Sequence, residues 1–245
     1  MQKNKRVKSL IKGLLGLFRL RLIDPYEVFF DVPSHTFYPI VSKSGCTSLK
    51  KFLIEKYHPN SGLGFPEIHQ IDPSGLTNGN LERHIFYTKS AYLRFSSHKQ
   101  MNLTIRNPAM RFFSCYTDLK KEKNTLYEHP SGLDWLVKTN RNDTIETFLK
   151  RVCATPDYLA DRHFRSQTFY FPKNFERHLK GFKIEILKDS DSPWRTNNHI
   201  LHGDIKLNTN PEKATETDID YIRNNKGFQK RYKRDIELFN SISSK

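Results

Sequence analysis

The stretch that decides the fold is Phe37–Leu53, FYPIVSKSGCTSLKKFL, in which a β-prone run ends in a loop of small residues that opens into a helix. After the loop, apolar side chains recur at helical spacing, at Leu49, Phe52, Leu53 and Tyr57. The intervening lysines are expected on the other side of this helix: Lys50, Lys51 and Lys56. Pro59 is expected to stop the helix. A strand, a loop and a helix in this order are typical of an α/β fold.

The loop Ser42–Ser48 has the composition of an anion-binding site. The first N–H groups of a helix have no intrahelical partner, and the helix dipole adds positive potential there. Gly45 allows the backbone to approach a ligand closely, the hydroxyl groups add donors, and Lys43 supplies a full charge. The alternative is an ordinary turn rich in small polar residues. The residue order excludes the phosphate loop of nucleotide triphosphatases, in which the lysine follows the glycines.

Composition limits the class of partner. A chain of 245 residues is expected to form one domain, and 36% hydrophobic with 13% aromatic residues indicates a globular protein. A net charge of +15 favours an anionic partner such as nucleic acid, a membrane surface, an acidic glycan or a nucleotide. The cysteines, Cys46, Cys115 and Cys153, form no CxxC pair. They argue against a zinc site or a disulfide framework and favour a reducing compartment.

Residues 1–23 are a basic segment with helical character. Its apolar residues are interrupted by Lys12, Arg19 and Arg21, whereas a spanning helix needs about 20 predominantly apolar residues and a signal peptide an apolar core of about 7–15. We expect a basic helix that packs on the domain, and the alternative is a helix lying on an anionic membrane surface. Residues 24–245 are expected to form a single domain.

Strands and helices alternate along the rest of the chain. Strands are predicted at Arg83–Thr88, Met101–Ile105 and Phe182–Leu187. Helices are predicted from Ala109 to Lys121, around Ile145 to Val152 with an Asp143–Glu146 capping box, and as one C-terminal helix through Phe228, Tyr232, Ile236 and Phe239. This alternation predicts a mainly parallel central sheet flanked by helices. Pro39 conflicts with a strand interior, so we expect it at the strand's beginning or at an irregularity.

A second informative stretch is Leu103–Leu119, LTIRNPAMRFFSCYTDL. Arg106 falls where a buried strand ends, which is the edge where open α/β sheets bind ligands. Ser114 shares a helix face with Arg111 and Asp118, so Arg106 and Ser114 can converge on one oxyanion. The alternative is that Arg111 and Asp118 form a surface pair while Arg106 pairs with a carboxylate.

The two stretches together resemble a known family. K-x-G-x-T-S at Lys43–Ser48 and R-N-P-x-x-R-x-x-S-x-Y at Arg106–Tyr116 resemble the two phosphate-binding segments of sulfotransferases that use 3′-phosphoadenosine 5′-phosphosulfate (PAPS). The branch that fits is the carbohydrate sulfotransferases similar to the natural killer-1 and chondroitin 4-O enzymes and their bacterial relatives. Asp161–Gln167, DRHFRSQ, resembles its D-x-H-W-x-P-Q segment, and Arg231–Phe239, RYKRDIELF, resembles its closing helix, Y-x-x-D-[FY]-x-L-F.

Two positions depart from the family pattern. Asn107 stands where an aspartate is usual, and Ser166 stands where proline is common. Neither change removes a cofactor contact, so they bear on the subfamily rather than on the chemistry. The basic segment 1–23 has no counterpart in the family.

The resemblance implies a P-loop-like sulfotransferase fold and transfer of a sulfuryl group from PAPS to a carbohydrate hydroxyl, without a metal. Lys43 would be catalytic. The cofactor-binding residues that it implies are Lys43, Ser44, Gly45, Cys46, Thr47, Ser48, Arg106 and Ser114. The candidates for the general base are His163, in the D-x-H segment, and His84, whose offset from Arg106 resembles that of the catalytic histidine in uronyl 2-O-sulfotransferases. The alternative is that neither is the base, since any of the ten histidines could have a structural role.

Partners and alternatives follow from the same resemblance and from the charge. The acceptor is expected to be an acidic carbohydrate, with no nucleic acid. Eukaryotic relatives carry a spanning anchor and disulfides, and this sequence shows the pattern of neither, so a bacterial, cytoplasmic enzyme is expected. Segment 1–23 is a candidate for peripheral contact with the inner membrane face. A non-catalytic polyanion- or nucleic-acid-binding protein would also explain the charge of +15. A P-loop-type kinase would need a different lysine order and a magnesium-binding acidic residue at a strand end.

Overall fold

The structure is a computed structural model, and it describes residues 25–64, 67–97, 99–120, 142–158, 160, 162–172, 182–187 and 214–244. The basic segment 1–23 and Asp161 lie outside the described residues. Within them, one sheet is flanked by helices on both faces, so the predicted α/β class is confirmed.

The sheet of the described residues has five strands: β1 (Tyr26–Asp31), β2 (Thr36–Pro39), β3 (Leu81–Phe86), β4 (Gln100–Arg106) and β5 (Phe182–Leu187). Their order across the sheet is β3-β1-β2-β4-β5. β4 runs parallel to β2 and β5, whereas β1 is antiparallel to both β2 and β3. The sheet is therefore mixed, and the prediction of a mainly parallel sheet is wrong. The antiparallel pairing of β1 with β2 has a physical cause. The turn that joins them, Val32–His35, is short, and such a turn can connect two neighbouring strands only as an antiparallel hairpin.

The helices that the structure describes are α1 (Cys46–Glu55), α2 (Glu67–Gln70), α3 (Pro73–Leu76), α4 (Lys89–Ser96), α5 (Pro108–Lys120), α6 (Ile145–Ala154), α7 (Glu216–Asn224), α8 (Lys226–Arg231) and α9 (Lys233–Ser243). A 3₁₀ turn covers Gln167–Tyr170. The predicted single C-terminal helix is wrong, because Tyr232, with φ −108° and ψ 20°, separates α8 from α9. None of the described helices has the length and the apolar character needed to cross a membrane.

Two local predictions at element ends need correction. Pro39 is the last residue of β2, not its first, and pairing of β2 with β4 covers only Thr36 and Phe37, so the missing N–H falls beyond that ladder. At the start of α6, Thr144 is the N-cap and accepts from the backbone N–H of Thr147. The predicted capping box with Asp143 does not form, since that carboxylate binds Arg151 at 2.8 Å instead.

Each face of the sheet is covered by a separate apolar cluster. One cluster joins strand residues to α4, the 3₁₀ turn and α9, and includes Val28, Phe37, Tyr92, Leu103, Ile105, Tyr170 and Leu238. The other joins them to α1 and α2, and includes Phe29, Ile40, Leu49, Leu53, Ile68 and Leu81. A third cluster forms among the helices α5 to α8 and includes Phe112, Phe148, Val152, Ile222 and Phe228. This packing fixes α1 and α5 beside the ends of the strands that precede them.

Candidate functional site

The loop between β2 and α1 has a backbone that opens the helix start to a ligand. Lys43 and Gly45 both have positive φ, 61° and 76°, and the Ser44 N–H donates to Val41 O at 3.2 Å. Gly45 is the N-cap of α1, so no side chain caps the helix, and its first turn holds no acidic residue. The first amides of α1 and the helix dipole therefore retain their attraction for an anion.

Ser44 connects this loop to the end of β4 through one amide side chain. Its hydroxyl, in a residue only 1% exposed, donates to Gln167 Oε1 at 2.9 Å. The same oxygen accepts from the Arg106 N–H at 2.8 Å, and Gln167 Nε2 donates to Arg106 O at 2.9 Å. The loop of the first sequence motif and the strand end of the second therefore lie within hydrogen-bond reach of one atom. Ser44 holds the loop in place, since its hydroxyl and its amide both bond within the protein.

Gln167 is held in turn by the C-terminal helix. Its backbone N–H donates to Asp235 Oδ2 at 2.8 Å, and the N–H and hydroxyl of Thr168 donate to Asp235 Oδ1 at 2.8 and 2.7 Å. Burial raises the pKa of Asp235, and these donors act against that rise. Nearby, Tyr232 donates from its hydroxyl to Phe164 O at 2.6 Å. The aspartate and the tyrosine of the closing-helix motif therefore fix the segment that carries Gln167.

Arg111 is a structural link and not a surface residue. It is 3% exposed; its Nε donates to Ser42 O at 2.9 Å and its Nη2 to Arg162 O at 3.1 Å. The alternative of a surface pair between Arg111 and Asp118 is thus wrong. Asp118 instead contacts Lys43, with 2.6 Å between Oδ2 and Nζ.

Lys43 therefore lies over the same side of α5 that carries Ser114, one helical turn before Asp118. Together with the Gln167 link, this contact places Lys43, Ser114 and the backbone of Arg106 around one edge of the sheet. The side chains of Lys43 and Asp118 are 16% and 20% exposed, so the pair is accessible to solvent and to ligands.

The two histidines considered as general bases lie in different places. The carbonyl of His163 accepts from Cys115 Sγ at 2.8 Å, which puts its segment against α5, next to the Arg111 contact. His84 is on β3, an outer strand of the sheet, with Nε2 2.8 Å from Glu82 Oε2 and its ring packed on Phe95. Because β1 separates β3 from β2, His84 lies about 10 Å sideways from the strand that leads into the loop.

A buried polar network beside the loop was not predicted from the sequence. Lys50, expected on the outer side of α1, is only 1% exposed, and its Nζ contacts Glu27 Oε1 at 2.7 Å. Arg83 and Arg162 approach the same carboxylate, with nitrogen–oxygen distances of 2.8 and 3.6 Å. His69 completes the network through Lys50 at 3.3 Å and through Thr47 at 3.0 Å. The spacing of Thr47, Lys50 and Ile54 on one helix face was the available signal.

The network determines the charge of its members. Burial acts to raise the pKa of Glu27, but Lys50, Arg83 and Arg162 outweigh it, so the pKa is lowered and the carboxylate is ionised. Burial and the charge of Lys50 lower the pKa of His69 to about 4. His69 is therefore neutral at neutral pH.

Comparison with protein-family models, curated proteins and solved structures gives no match for this chain. The described residues contain no group of three or more histidine, cysteine, aspartate or glutamate side chains arranged to hold a metal ion.

Proposed function

We propose that the protein is a PAPS-dependent carbohydrate sulfotransferase with a P-loop-like sulfotransferase fold. The observation that carries the proposal is the Gln167 amide, which joins Ser44 of the lysine-bearing loop to Arg106 at the end of β4. Two motifs that resemble the two phosphate-binding segments of one donor are thereby adjacent. A helix start without a cap or an acidic residue also suits an anionic donor.

The proposed reaction is an in-line displacement at sulfur. PAPS supplies the activated sulfuryl group. The acceptor hydroxyl oxygen bonds to sulfur as the bond from sulfur to the phosphate oxygen breaks, and adenosine 3′,5′-bisphosphate (PAP) leaves. Lys43 neutralises the charge that develops on the bridging oxygen, and the first amides of α1, at Cys46, Thr47 and Ser48, hold the 5′-phosphate. Positioning and electrostatics contribute most of the catalysis in such transfers.

The other end of the donor is assigned to Arg106 and Ser114. A guanidinium fork and a hydroxyl suit a phosphate dianion, and the 3′-phosphate is the group that distinguishes PAPS from AMP-like nucleotides. Asp118 opposes the binding of an anion here, since its carboxylate contacts Lys43. The donor must therefore draw the Lys43 ammonium away from Asp118.

The acceptor is proposed to be an acidic carbohydrate, which suits the net charge of +15. Its hydroxyl proton passes to a general base. His163 is the first candidate, because its segment packs against α5 beside the loop, and His84 is the second. A base must reach the reacting hydroxyl, so replacing each histidine separately by alanine and measuring transfer decides between them.

Nucleotide binding tests the proposal most directly. We expect PAP to bind more tightly than AMP, and Arg106→Ala to weaken PAP by about tenfold or more while leaving AMP unchanged, since only PAP carries the 3′-phosphate. Lys43→Ala should abolish sulfuryl transfer from radiolabelled PAPS to a panel of acidic glycans. Lys51→Ala is the matched control, because it removes the same charge from the middle of α1, where Lys51 pairs with Glu55 at 3.6 Å. Equal affinity for PAP and AMP would contradict the assignment.

A non-catalytic polyanion-binding protein remains the second candidate on the strength of its charge. It predicts strongly salt-dependent binding of heparin or DNA that survives Lys43→Ala. In that case PAP would not compete with the polyanion, whereas the enzyme requires specific binding of PAP.

A further inference from the structure

His69 lies between the buried ion pair and the start of α1. Its Nδ1 is 3.3 Å from Lys50 Nζ, and its Nε2 is 3.0 Å from Thr47 Oγ1. Lys50 in turn contacts Glu27 Oε1 at 2.7 Å, and both residues of this pair are at least 96% buried. The four side chains form a continuous line from the sheet to the first turn of the helix.

The chemistry of these groups fixes where the protons are. The ammonium of Lys50 carries only donors, so His69 Nδ1 must be the acceptor in their contact. A neutral imidazole with Nδ1 as acceptor carries its proton on Nε2, and Nε2–H then donates to Thr47 Oγ1. Both ring nitrogens are engaged in this way. His69 therefore has no nitrogen left to take the proton of a carbohydrate hydroxyl, so it is not a general base.

The consequence falls on Thr47. Its oxygen accepts from His69, so its own proton must be donated elsewhere. Within the described part of the chain, the Thr47 hydroxyl contacts His69, and Thr47 is 6% exposed. A buried hydroxyl proton without an acceptor is unfavourable, and a ligand oxygen in the first turn of α1 would remove that cost.

We propose that His69 is a positioning residue that holds the Thr47 hydroxyl as a permanent donor to a fully deprotonated oxyanion at the start of α1. The oxyanion is the 5′-phosphate of PAP, an assignment that rests on the proposed function. A deprotonated ligand oxygen accepts this hydrogen bond more strongly than a protonated one, because charge-assisted hydrogen bonds are the stronger ones. The site therefore favours phosphate and sulfate esters whose oxygen at this position carries no proton.

A double-mutant cycle tests this inference. By titration calorimetry with PAP, Thr47→Val and His69→Leu should each weaken binding about tenfold. The double variant should be no weaker than Thr47→Val, because on this inference the effect of His69 on PAP binding passes through the Thr47 hydroxyl. His69→Gln should bind within about twofold of the unmodified protein, since its amide can accept from Lys50 and donate to Thr47. Additive effects, or unchanged binding in His69→Leu, would overturn the inference.

Two further measurements separate this inference from the proposed function. Long-range ¹⁵N NMR of the unmodified protein should show His69 as the Nε2–H tautomer. An Nδ1–H tautomer would refute donation from His69 to Thr47, and this readout is available even if His69→Leu fails to fold. Pyrophosphate is the second probe. Binding of pyrophosphate with the same His69–Thr47 coupling, but no binding of PAP, would refute the proposed function alone. Binding of PAP without the coupling would refute the inference alone, and binding of neither probe would refute both.

Discussion

The Lys43–Asp118 contact puts a competing anion beside the proposed catalytic lysine. The nitrogen–oxygen distance is 2.6 Å, and the pair is partly exposed. Such pairs contribute only about 0–1 kcal/mol to stability, so the contact is explained poorly as a device for folding. The contact instead weakens the binding of an anion, because the Asp118 carboxylate offsets part of the positive potential of the Lys43 ammonium.

We therefore predict that Asp118→Asn strengthens PAP binding by about three- to tenfold, because it removes a negative charge next to Lys43. The unfolding free energy should change by less than about 1 kcal/mol. Titration calorimetry and urea denaturation measure the two quantities. Asp220→Asn is the control, since it removes the same charge from an exposed pair with Arg223 on α7. Weaker PAP binding in Asp118→Asn would mean that Asp118 orients Lys43 productively.

His69 gives a pH-dependent prediction. Its pKa of about 4 lies below the ordinary value of 6.5, so the unfolded chain takes up this proton first as the pH falls. The stability contributed by neutral His69 is complete above pH 6.5 and is lost as the pH falls toward 4. The charged groups that face it are Lys50, Glu27, Arg162 and Arg83.

Urea denaturation at pH 7 and pH 5 measures this effect, and His69→Gln should remove that part of the pH dependence. A ¹H NMR titration of the His69 ring should have its midpoint near pH 4. A midpoint near 6.5 would show that the ring is solvated and that the Lys50 contact does not hold it.

The amide side chain of Gln167 joins three structural elements. Gln167 connects the loop before α1, the end of β4 and its own 3₁₀ turn through three hydrogen bonds. An apolar side chain could not join these elements in the same way. The groups that meet here are a hydroxyl and main-chain atoms, which need polar partners when they are buried.

Gln167→Met keeps the shape of the side chain but leaves the Ser44 hydroxyl and the Arg106 amide without partners. We predict a loss of about 3 kcal/mol in unfolding free energy, from roughly 1–3 kcal/mol for each buried unsatisfied group. Urea denaturation measures it. The matched control is Gln229→Met, because Gln229 donates only an exposed bond to Arg223 O. A loss no larger than that of the control would mean that water replaces the amide.

Elements with strong local signals were predicted from the sequence, and elements with distant causes were not. β5 and the apolar run of β4 were predicted within one residue, and α5 begins at Pro108 as its Asn-Pro start indicates. β1 was missed although it is fully buried, because Glu27 and Asp31 interrupt its apolar pattern. Their charges are balanced by Lys50 and Lys56 of a later part of the chain, which no local pattern reveals.

The same reason explains what was predicted of the candidate site. The loop and the end of β4 were identified because their residue types carry the chemistry within a few positions. Helical spacing suggested Arg111 as an alternative partner for Asp118, whereas Asp118 contacts Lys43, from a distant part of the sequence. Lys50 and His69 could not be recognised for a comparable reason, since their neutral or paired states depend on burial against Glu27.

In the molecule as a whole, Asp235 connects the C-terminal helix α9 to the loop between β2 and α1 through Gln167. The carboxylate accepts from Gln167 N and from both donors of Thr168, and Gln167 accepts from Ser44. Helix α9 therefore holds the loop indirectly, through Gln167. Opening of the C-terminal helix should release the loop in the same event.

We predict that Asp235→Asn, which turns an acceptor into a donor that faces other donors, destabilises the protein by about 2–4 kcal/mol. Native-state hydrogen exchange should also show lower protection at the Ser44 amide, which bonds to Val41 O. The control is Asp218→Asn in the exposed capping box of α7. Unchanged protection at Ser44 in Asp235→Asn would show that loop and helix open independently.

The order of the strands, Gln167 and Asp235 along the chain has a consequence for biosynthesis. A ribosome that synthesises this protein releases β1 to β4 early, and these strands can pair with one another before the remainder exists. Gln167 emerges later, and Asp235 follows it by 68 residues. The nascent chain should thus acquire these four strands well before Asp235 can fix Gln167 and, through it, the loop that precedes α1.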